Sequence, residues 1–208
     1  MRFEVLRPAT PFSSAKKRRL AGGRESMQPH GAHNHRKTFM TNAVYTASIP
    51  VFRQMLGGLK DVLAKAAAHA EAKKIDPNAL LQARFFPDMF PLLRQVQVAT
   101  DFAKSVSARL AGVDVPVVED NEQTFADLHV RIDNVIAFLA GLDAAKFDAA
   151  ATREIVLRPG TPKEKHMTGE SYLLAYGLPQ FFFHVTTAYA LLRHNGVEVG
   201  KKDFMGSY

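Results

Sequence analysis

Residues 178–196 read LPQFFFHVTTAYALLRHNG, and this stretch decides the fold. Its apolar residues recur at alternating spacings of three and four, namely Leu178, Phe181, Val185, Ala188 and Leu192. That spacing is typical of an α-helix with one face buried along its whole length. The Asn-Gly pair at 195–196 is a stop signal, and the helix could begin as early as Glu170. The stretch therefore predicts a long core-facing helix near the end of the sequence.

Three earlier segments carry the same spacing. Their apolar residues are Tyr45, Ile49, Phe52, Leu56, Leu59, Leu63 and Ala66 in the first, Met89, Leu92, Val96, Ala99, Ala103, Val106 and Leu110 in the second, and Phe125, Leu128, Ile132, Val135, Leu139 and Leu142 in the third. Helices of about 20 residues are each about 30 Å long, and four apolar faces are sufficient for one core. The simplest closure is an all-α, antiparallel four-helix bundle.

Cap residues mark the ends of the second and third helices. Asp88 is the predicted N-cap of the second helix, Pro91 fits its first turn, and Gly112 follows its end. Thr124, with Asp127 three residues later, predicts a carboxylate variant of the capping box at the start of the third helix.

The connection between helices three and four, residues 143–169, is the longest one in the bundle. Within it, residues 154–158 read EIVLR, which is typical of a strand, and run into Pro159-Gly160. Residues 165–168 could return as a second short strand. We therefore expect a small β-hairpin between helices three and four.

The net charge of +7 belongs to residues 1–39, which contain nine Lys or Arg residues and two acidic ones. The remaining charges balance, so we expect no nucleic acid to bind through the folded domain. Residues 1–39 lack apolar periodicity and are predicted to be a disordered basic extension. Residues 40–208 are predicted to form one helical-bundle domain.

Four interpretations of the N-terminal segment remain open. It could be an over-extended start, with Met40 as the initiator, or an organelle-targeting segment. The basic run at 16–19 could be a nuclear or nucleic-acid patch. The fourth interpretation is that His30, His33 and His35 bind a metal ion.

The chain has no cysteine, which excludes disulfides, thiolate nucleophiles and cysteine-based metal sites. This composition suits a reducing compartment, and we expect the protein to be cytoplasmic. No stretch approaches the roughly 20 apolar residues that span a membrane, so we expect no membrane partner.

His184 is the first candidate for chemistry, because it lies at the edge of the fourth apolar stripe. An imidazole there could be a metal ligand or a general base. The structural alternative is a half-buried histidine that hydrogen-bonds a neighbouring helix. Gln95, on helix two, could point toward the same end of the bundle. The candidate ligand pocket comprises Asp88, Gln95, Phe181, His184 and Tyr189.

Two further patterns concern the helix surfaces. Gln97 and Asp101 lie opposite the core stripe of helix two, which predicts a solvated face or a contact with a partner or with the hairpin. In the run Phe181-Phe182-Phe183 one ring must face away from the core. The chain contains no Gly-x-Ser-x-Gly, Gly-rich phosphate loop, His-Glu-x-x-His or Glu-x-x-His motif. Sequence motifs therefore leave the question of enzyme or non-enzyme open.

Several segments together resemble the uncharacterised family DUF1993. They are RFFPDMFPL at 84–92, RQVQ at 94–97, DFAK at 101–104, YL at 172–173, LPQFFFHVTTAY at 178–189, LRHNGV at 192–197 and GKKDF at 200–204. The resemblance covers nearly all of residues 40–208. It implies a branch of the DinB/YfiT-like group, whose members are four-helix bundles, often dimeric, with three histidine ligands for a metal. Some members are metal-dependent transferases or isomerases that work with small thiols.

Carried over by position, the ligand of helix two would fall near Gln95, and the pair on helix four would be His184 and Ala188. Only one of these three is a histidine, so the resemblance implies a degenerate metal site, and we expect no metal or other cofactor. The expected function is a homodimeric small-molecule-binding or interaction module. The alternative is an enzyme that acts on a small, thiol-containing substrate with His184 as base or ligand.

Overall fold

The computed structural model describes residues 43–208; the predicted extension at 1–39 lies outside the described residues. In chain order the helices and strands are α1 (Ala43–Thr46), α2 (Ile49–Lys73), α3 (Pro77–Leu81), α4 (Leu92–Ala111), α5 (Phe125–Ala140), a 3-10 turn (Ala144–Phe147), β1 (Glu154–Leu157), β2 (Lys165–Thr168), α6 (Gly169–Tyr172), a π-helical turn (Leu173–Gly177), α7 (Leu178–His194) and α8 (Lys201–Met205).

The four long helices α2, α4, α5 and α7 pack around one apolar core, which confirms the predicted all-α bundle. Their stripe residues are almost fully buried, among them Leu56, Val96, Leu128 and Val185. Helices α4 and α7 run antiparallel, because residue 95 meets residue 184 while residue 109 meets residue 172.

The predicted end of α4 and the predicted capping box of α5 are confirmed, but the start of α4 differs from the prediction. The Oγ1 of Thr124 accepts the Asp127 N–H at 3.1 Å, and Asp127 Oδ2 accepts the Thr124 N–H at 2.9 Å, so the capping box is confirmed. Helix α4 ends at Gly112, whose φ of 67° is left-handed. The predicted cap at Asp88 is wrong. Pro91 occupies the N-cap position in an extended conformation rather than the predicted first turn, and Asp88 lies exposed in the preceding turn.

The predicted hairpin is confirmed. Strands β1 and β2 pair antiparallel with Glu154 opposite Thr168 and Leu157 opposite Lys165. Gly160 has a φ of 73°, which a turn with left-handed backbone requires. Only Ile155 of the two strands is buried, so the hairpin contributes little to the core.

Helical backbone runs from Gly169 to His194, so the last long helix begins one residue before Glu170, the earliest predicted start. The π-helical turn interrupts it just before Pro179, which has no N–H to donate to the preceding turn. Gly177 faces α4 closely, because a Cβ built there would lie 2.9 Å from Val106.

The C-terminal helix α8 covers the outer face of α2. Gln54 Nε2 donates to the Met205 carbonyl at 2.9 Å, and Lys65 forms a 2.7 Å ion pair with Asp203. The backbone approaches so closely that a Cβ at Gly58 would lie 2.8 Å from the Phe204 carbonyl oxygen. Across residues 43–208, every helix is too short or too polar to traverse a bilayer.

Candidate functional site

Gln95 and His184 form one buried pair between α4 and α7. Gln95 lies in the first turn of α4 and His184 in the second turn of α7, and they are 1% and 7% exposed. The Nδ1 of His184 lies 2.7 Å from the Oε1 of Gln95. The sequence-based hypothesis that Gln95 points toward His184 agrees with this geometry.

The second hydrogen bond of Gln95 determines which histidine nitrogen carries the proton. Gln95 Nε2 donates to the Phe90 carbonyl at 3.1 Å, so Oε1 faces the imidazole. An amide oxygen only accepts, and therefore Nδ1 of His184 must be the donor. In the neutral ring this leaves Nε2 with a lone pair, and no residue in the described part of the chain binds that atom.

The electrostatic environment keeps His184 neutral. Burial lowers the pKa of His184 below its ordinary value of 6.5, and the nearby Arg94 cation lowers it further. The ring is therefore unprotonated at neutral pH and presents a basic nitrogen rather than a cation.

Aromatic side chains enclose the imidazole. Phe102 stacks on it at a centroid distance of 5.9 Å and an interplanar angle of 15°, and Phe183 meets it edge-on at 5.1 Å. Tyr176 in turn contacts Phe102 at 5.9 Å. Sequence reasoning missed Phe102 and Tyr176, although Phe102 follows Gln95 by seven positions and Tyr176 precedes His184 by eight. Both spacings place residues on one helix edge.

The other residues assigned to the pocket have different neighbours. Phe181 is fully buried and packs edge-on against Phe52 in the core. Tyr189 packs against Phe204 of α8. Asp88 is exposed. Only Gln95 and His184 are thus brought together.

The donor set does not fit a three-histidine metal centre. Ala188, in the position of a third ligand, is fully buried and has no donor atom. Gln95 Oε1 already accepts the hydrogen bond from His184. No three His, Cys, Asp or Glu residues within 43–208 are grouped so that they could hold a metal ion. A cation at His184 would have one protein ligand where a stable site needs three or four.

Exposed aromatic rings lie beside this pair. Phe85, Phe86 and Phe90 in the turn before α4 are 44%, 63% and 51% exposed, and Phe183 is 55% exposed. Phe183 is therefore the ring of the Phe triplet that faces outward. A shallow groove of about 460 Å³ runs between the turn and α7, with Phe85 and Phe183 among its lining residues. We call Phe85, Phe86, Phe90 and Phe183 the aromatic patch.

A second polar cluster lies between α4, α5 and the connection at 113–123. At its centre, Arg131 is 3% exposed and binds Thr100 and Asp101 of α4 at 2.7 and 2.9 Å. It also binds connection residues, namely the Glu119 carbonyl, Asp120 and Glu122. Sequence reasoning missed this cluster.

The prediction that Gln97 lies on a solvated face of its helix, α4, is wrong. This residue is only 3% exposed, because the connection at 113–123 folds over it and Glu122 accepts its Nε2 N–H at 2.7 Å. Asp101 is half-exposed and pairs with Lys104 and Arg131 rather than with the hairpin.

Comparison with known proteins agrees with the geometry of the fold. The family model described as "Domain of unknown function (DUF1993)" matches residues 44–205. A crystal structure described as a DinB family member from Shewanella denitrificans superposes with a TM-score of 0.77 and 42% sequence identity. The match covers 82% of this chain and 96% of that one. No protein with a curated description matches this chain.

Proposed function

The chain belongs to the DUF1993 family, and from that premise we propose that it is a small-molecule-binding module without a three-histidine metal centre. The ligand donates a hydrogen bond to Nε2 of His184 and lies against Phe102 and Phe183. The observation that carries this proposal is the hydrogen bond between Gln95 and His184, which leaves one neutral, oriented nitrogen for a ligand. We also propose that the protein is cytoplasmic, because a chain without cysteine suits a reducing compartment.

The likeness to a DinB family protein suggests the ligand class, because some proteins of that group use small thiols. An S–H or O–H group can donate a hydrogen bond to a neutral imidazole nitrogen. A carboxylate cannot, because both the carboxylate oxygen and that nitrogen are acceptors. Phe102 and Phe183 supply apolar contact on two sides of the ring. These features favour a small thiol over an anion without a donor.

Calorimetric titration of the full chain with L-cysteine and glutathione tests the proposal. S-methyl-L-cysteine, which lacks the S–H donor, is the matched control. We expect at least one thiol to bind, and His184→Ala to weaken that binding at least ten-fold. His129→Ala is the matched control, because His129 lies on α5 away from this pair. Absence of thiol binding, or undiminished affinity in His184→Ala, would overturn the proposal.

A second candidate, catalysis, is favoured by the low pKa of His184. A neutral imidazole can take the proton of a bound thiol and so generate a thiolate. The test is thioether formation between glutathione and 1-chloro-2,4-dinitrobenzene, in which the sulfur displaces chloride. If the candidate is right, His184→Gln lowers kcat/KM roughly 10²-fold or more, and Gln82→Leu, at an exposed site, leaves it unchanged. Equal rates in all three proteins would exclude general-base catalysis of this reaction.

We also propose that the protein is a homodimer joined through the aromatic patch. The turn that carries Phe85 and Phe86 also carries Arg84 and Asp88, so two copies related by a two-fold axis can pair each basic group with the other copy's acid. In sedimentation analysis we expect a dimer at micromolar concentration and a monomer for Phe86→Asp. Val117→Asp, at a site 95% exposed, is the matched control. A monomeric parent protein would refute the interface.

A further inference from the structure

One cleft lies between α5 and the connection at 113–123, and neither Gln95 nor His184 lines it. It has a volume of about 760 Å³, which is in the range of small-molecule sites. The connection at 113–123 forms one wall with Pro116 and Val118, and α5 forms the other with Val130, Val135 and Phe138. Lys104 of α4 also lines the cleft.

Groups of the protein itself engage the Arg131 guanidinium of the polar cluster. Its Nε donates to Thr100, its NH1 to the Glu119 carbonyl and Glu122, and its NH2 to Asp101. NH2 also forms a 3.0 Å ion pair with Asp120. Four hydrogen bonds and the ion pair with Asp120 therefore engage all three nitrogens of the guanidinium. Arg131 holds the cleft wall in place and does not recognise what enters the cleft.

Of the three acidic residues that line the cleft, Glu122 and Asp127 have engaged carboxylates, and Glu119 is exposed. Glu122 accepts from Arg131 with one oxygen and from Gln97 with the other. Asp127 caps α5, and the backbone N–H groups of residues 123 and 124 lower the pKa of its carboxyl. Their negative charge is compensated by a guanidinium and by a helix N-terminus.

Lys104 differs from these groups. Its side chain is 7% exposed, yet Nζ has one acceptor among residues 43–208, the Asp101 Oδ1 at 3.0 Å. That same oxygen also accepts from Arg131. An ammonium group has three N–H donors, so two remain for a group in the cleft. A buried cation with spare donors, beside an apolar wall, is the arrangement that recognises a carboxylate on an apolar body.

We propose that this cleft binds a small monocarboxylic acid with an aromatic or branched apolar body. Its carboxylate accepts hydrogen bonds from Lys104 Nζ, and its body lies between Val118, Val130 and Phe138. This site is distinct from that of His184. Lys104 binds a hydrogen-bond acceptor of its ligand, whereas His184 binds a hydrogen-bond donor. The two proposals can therefore fail independently.

The test is calorimetric titration of the full chain with 3-phenylpropanoate and with 3-phenylpropan-1-ol, which has the same body without the carboxylate. We expect the acid to bind at least ten-fold more tightly than the alcohol. Lys104→Met should abolish this preference, and His184→Ala should preserve it. Lys73→Met, at an exposed lysine of α2, is the matched control.

A second variant tests the cleft without touching its buried charge. Val130 is 60% exposed and lines the cleft, so Val130→Asp should fold normally and weaken acid binding at least ten-fold. Val117→Asp adds the same charge to the connection at a side chain that does not line the cleft, and it should leave binding unchanged. Equal affinity for acid and alcohol, no binding of the acid at millimolar concentration, or undiminished binding in Val130→Asp would overturn the proposal.

Discussion

Gln95 and His184 stand 89 positions apart in the chain and meet at 2.7 Å across the interface of α4 and α7. The amide orients the imidazole and fixes its tautomer, and it also binds the Phe90 carbonyl at the start of α4. One side chain therefore links the turn that carries Phe85, Phe86 and Phe90 to the only histidine buried between these helices within residues 43–208.

Replacement of Gln95 by leucine should destabilise the protein and allow His184 to adopt both neutral tautomers. The Nδ1–H of His184 would lose its buried acceptor, which costs about 1–3 kcal/mol in the free energy of unfolding. Urea denaturation measures that loss, and histidine ¹⁵N NMR should show a mixture of tautomers in place of one. The exposed Gln82→Leu is the control. An unchanged unfolding free energy would mean that the hydrogen bond is not formed in solution.

Stability should fall as pH drops below about 6.5, the ordinary histidine pKa. The pKa of His184 is lowered in the folded state, so the unfolded chain binds the proton more readily. Its contribution is therefore complete above the unfolded pKa and is lost as pH falls toward the folded one. His129 adds a slope of the same sign, because burial and Lys60 lower its pKa.

The comparison that isolates His184 is the pH dependence of unfolding in His184→Gln. This variant should show a flatter slope than the parent between pH 7 and pH 5. His166, whose pKa is raised by Glu154 and Glu164, acts in the opposite direction and is common to both proteins. Parallel slopes would contradict a lowered pKa at His184.

Arg131→Met should release the connection at 113–123 from the bundle. The change leaves Glu122, whose side chain is 7% exposed, without its cation. Loss of one partner from a buried ion pair costs 3–5 kcal/mol, and we expect about 3 because Asp101 and Asp120 are more than a third exposed. Thermal unfolding gives the magnitude and limited proteolysis the location. The exposed Arg193→Met should match the parent in both assays.

The adjacent glycines of α2 should respond in opposite directions to alanine. A Cβ at Gly57 meets nothing within 4 Å, so Gly57→Ala should stabilise the protein by about 0.5–1 kcal/mol through helix entropy. A Cβ at Gly58 would lie 2.8 Å from the Phe204 carbonyl oxygen, so Gly58→Ala should displace α8 and destabilise the fold by about 1–3 kcal/mol. Equal effects would show that α8 does not dock on α2.

The sequence predicted the bundle because each long helix carries a continuous apolar stripe, and it predicted the hairpin because a strand-like run ends at Pro159-Gly160. Asp88 was misplaced as a cap because a proline three residues later can itself occupy the N-cap position. Helical periodicity alone could not distinguish Pro91 at that position from Pro91 in the first turn.

The polar cluster was harder to predict, because it depends on how one connection folds. Arg131 lies three residues after Leu128 and four before Val135, so a charged residue occupies a stripe position of α5. A charged residue at a stripe position was the one sign in the sequence that a buried polar cluster forms there. Gln97 is buried only because residues 113–123 return over α4, and no local pattern specifies that path.

The central claim is that His184 acts as a lone, neutral imidazole and not as one ligand of a metal cage. The most direct measurement is the metal content of the full chain, purified without chelators and analysed after gel filtration. We predict zinc, nickel and iron far below one equivalent per chain, with the same values in His184→Ala. One tightly held divalent ion per chain, released by His184→Ala, would contradict the account.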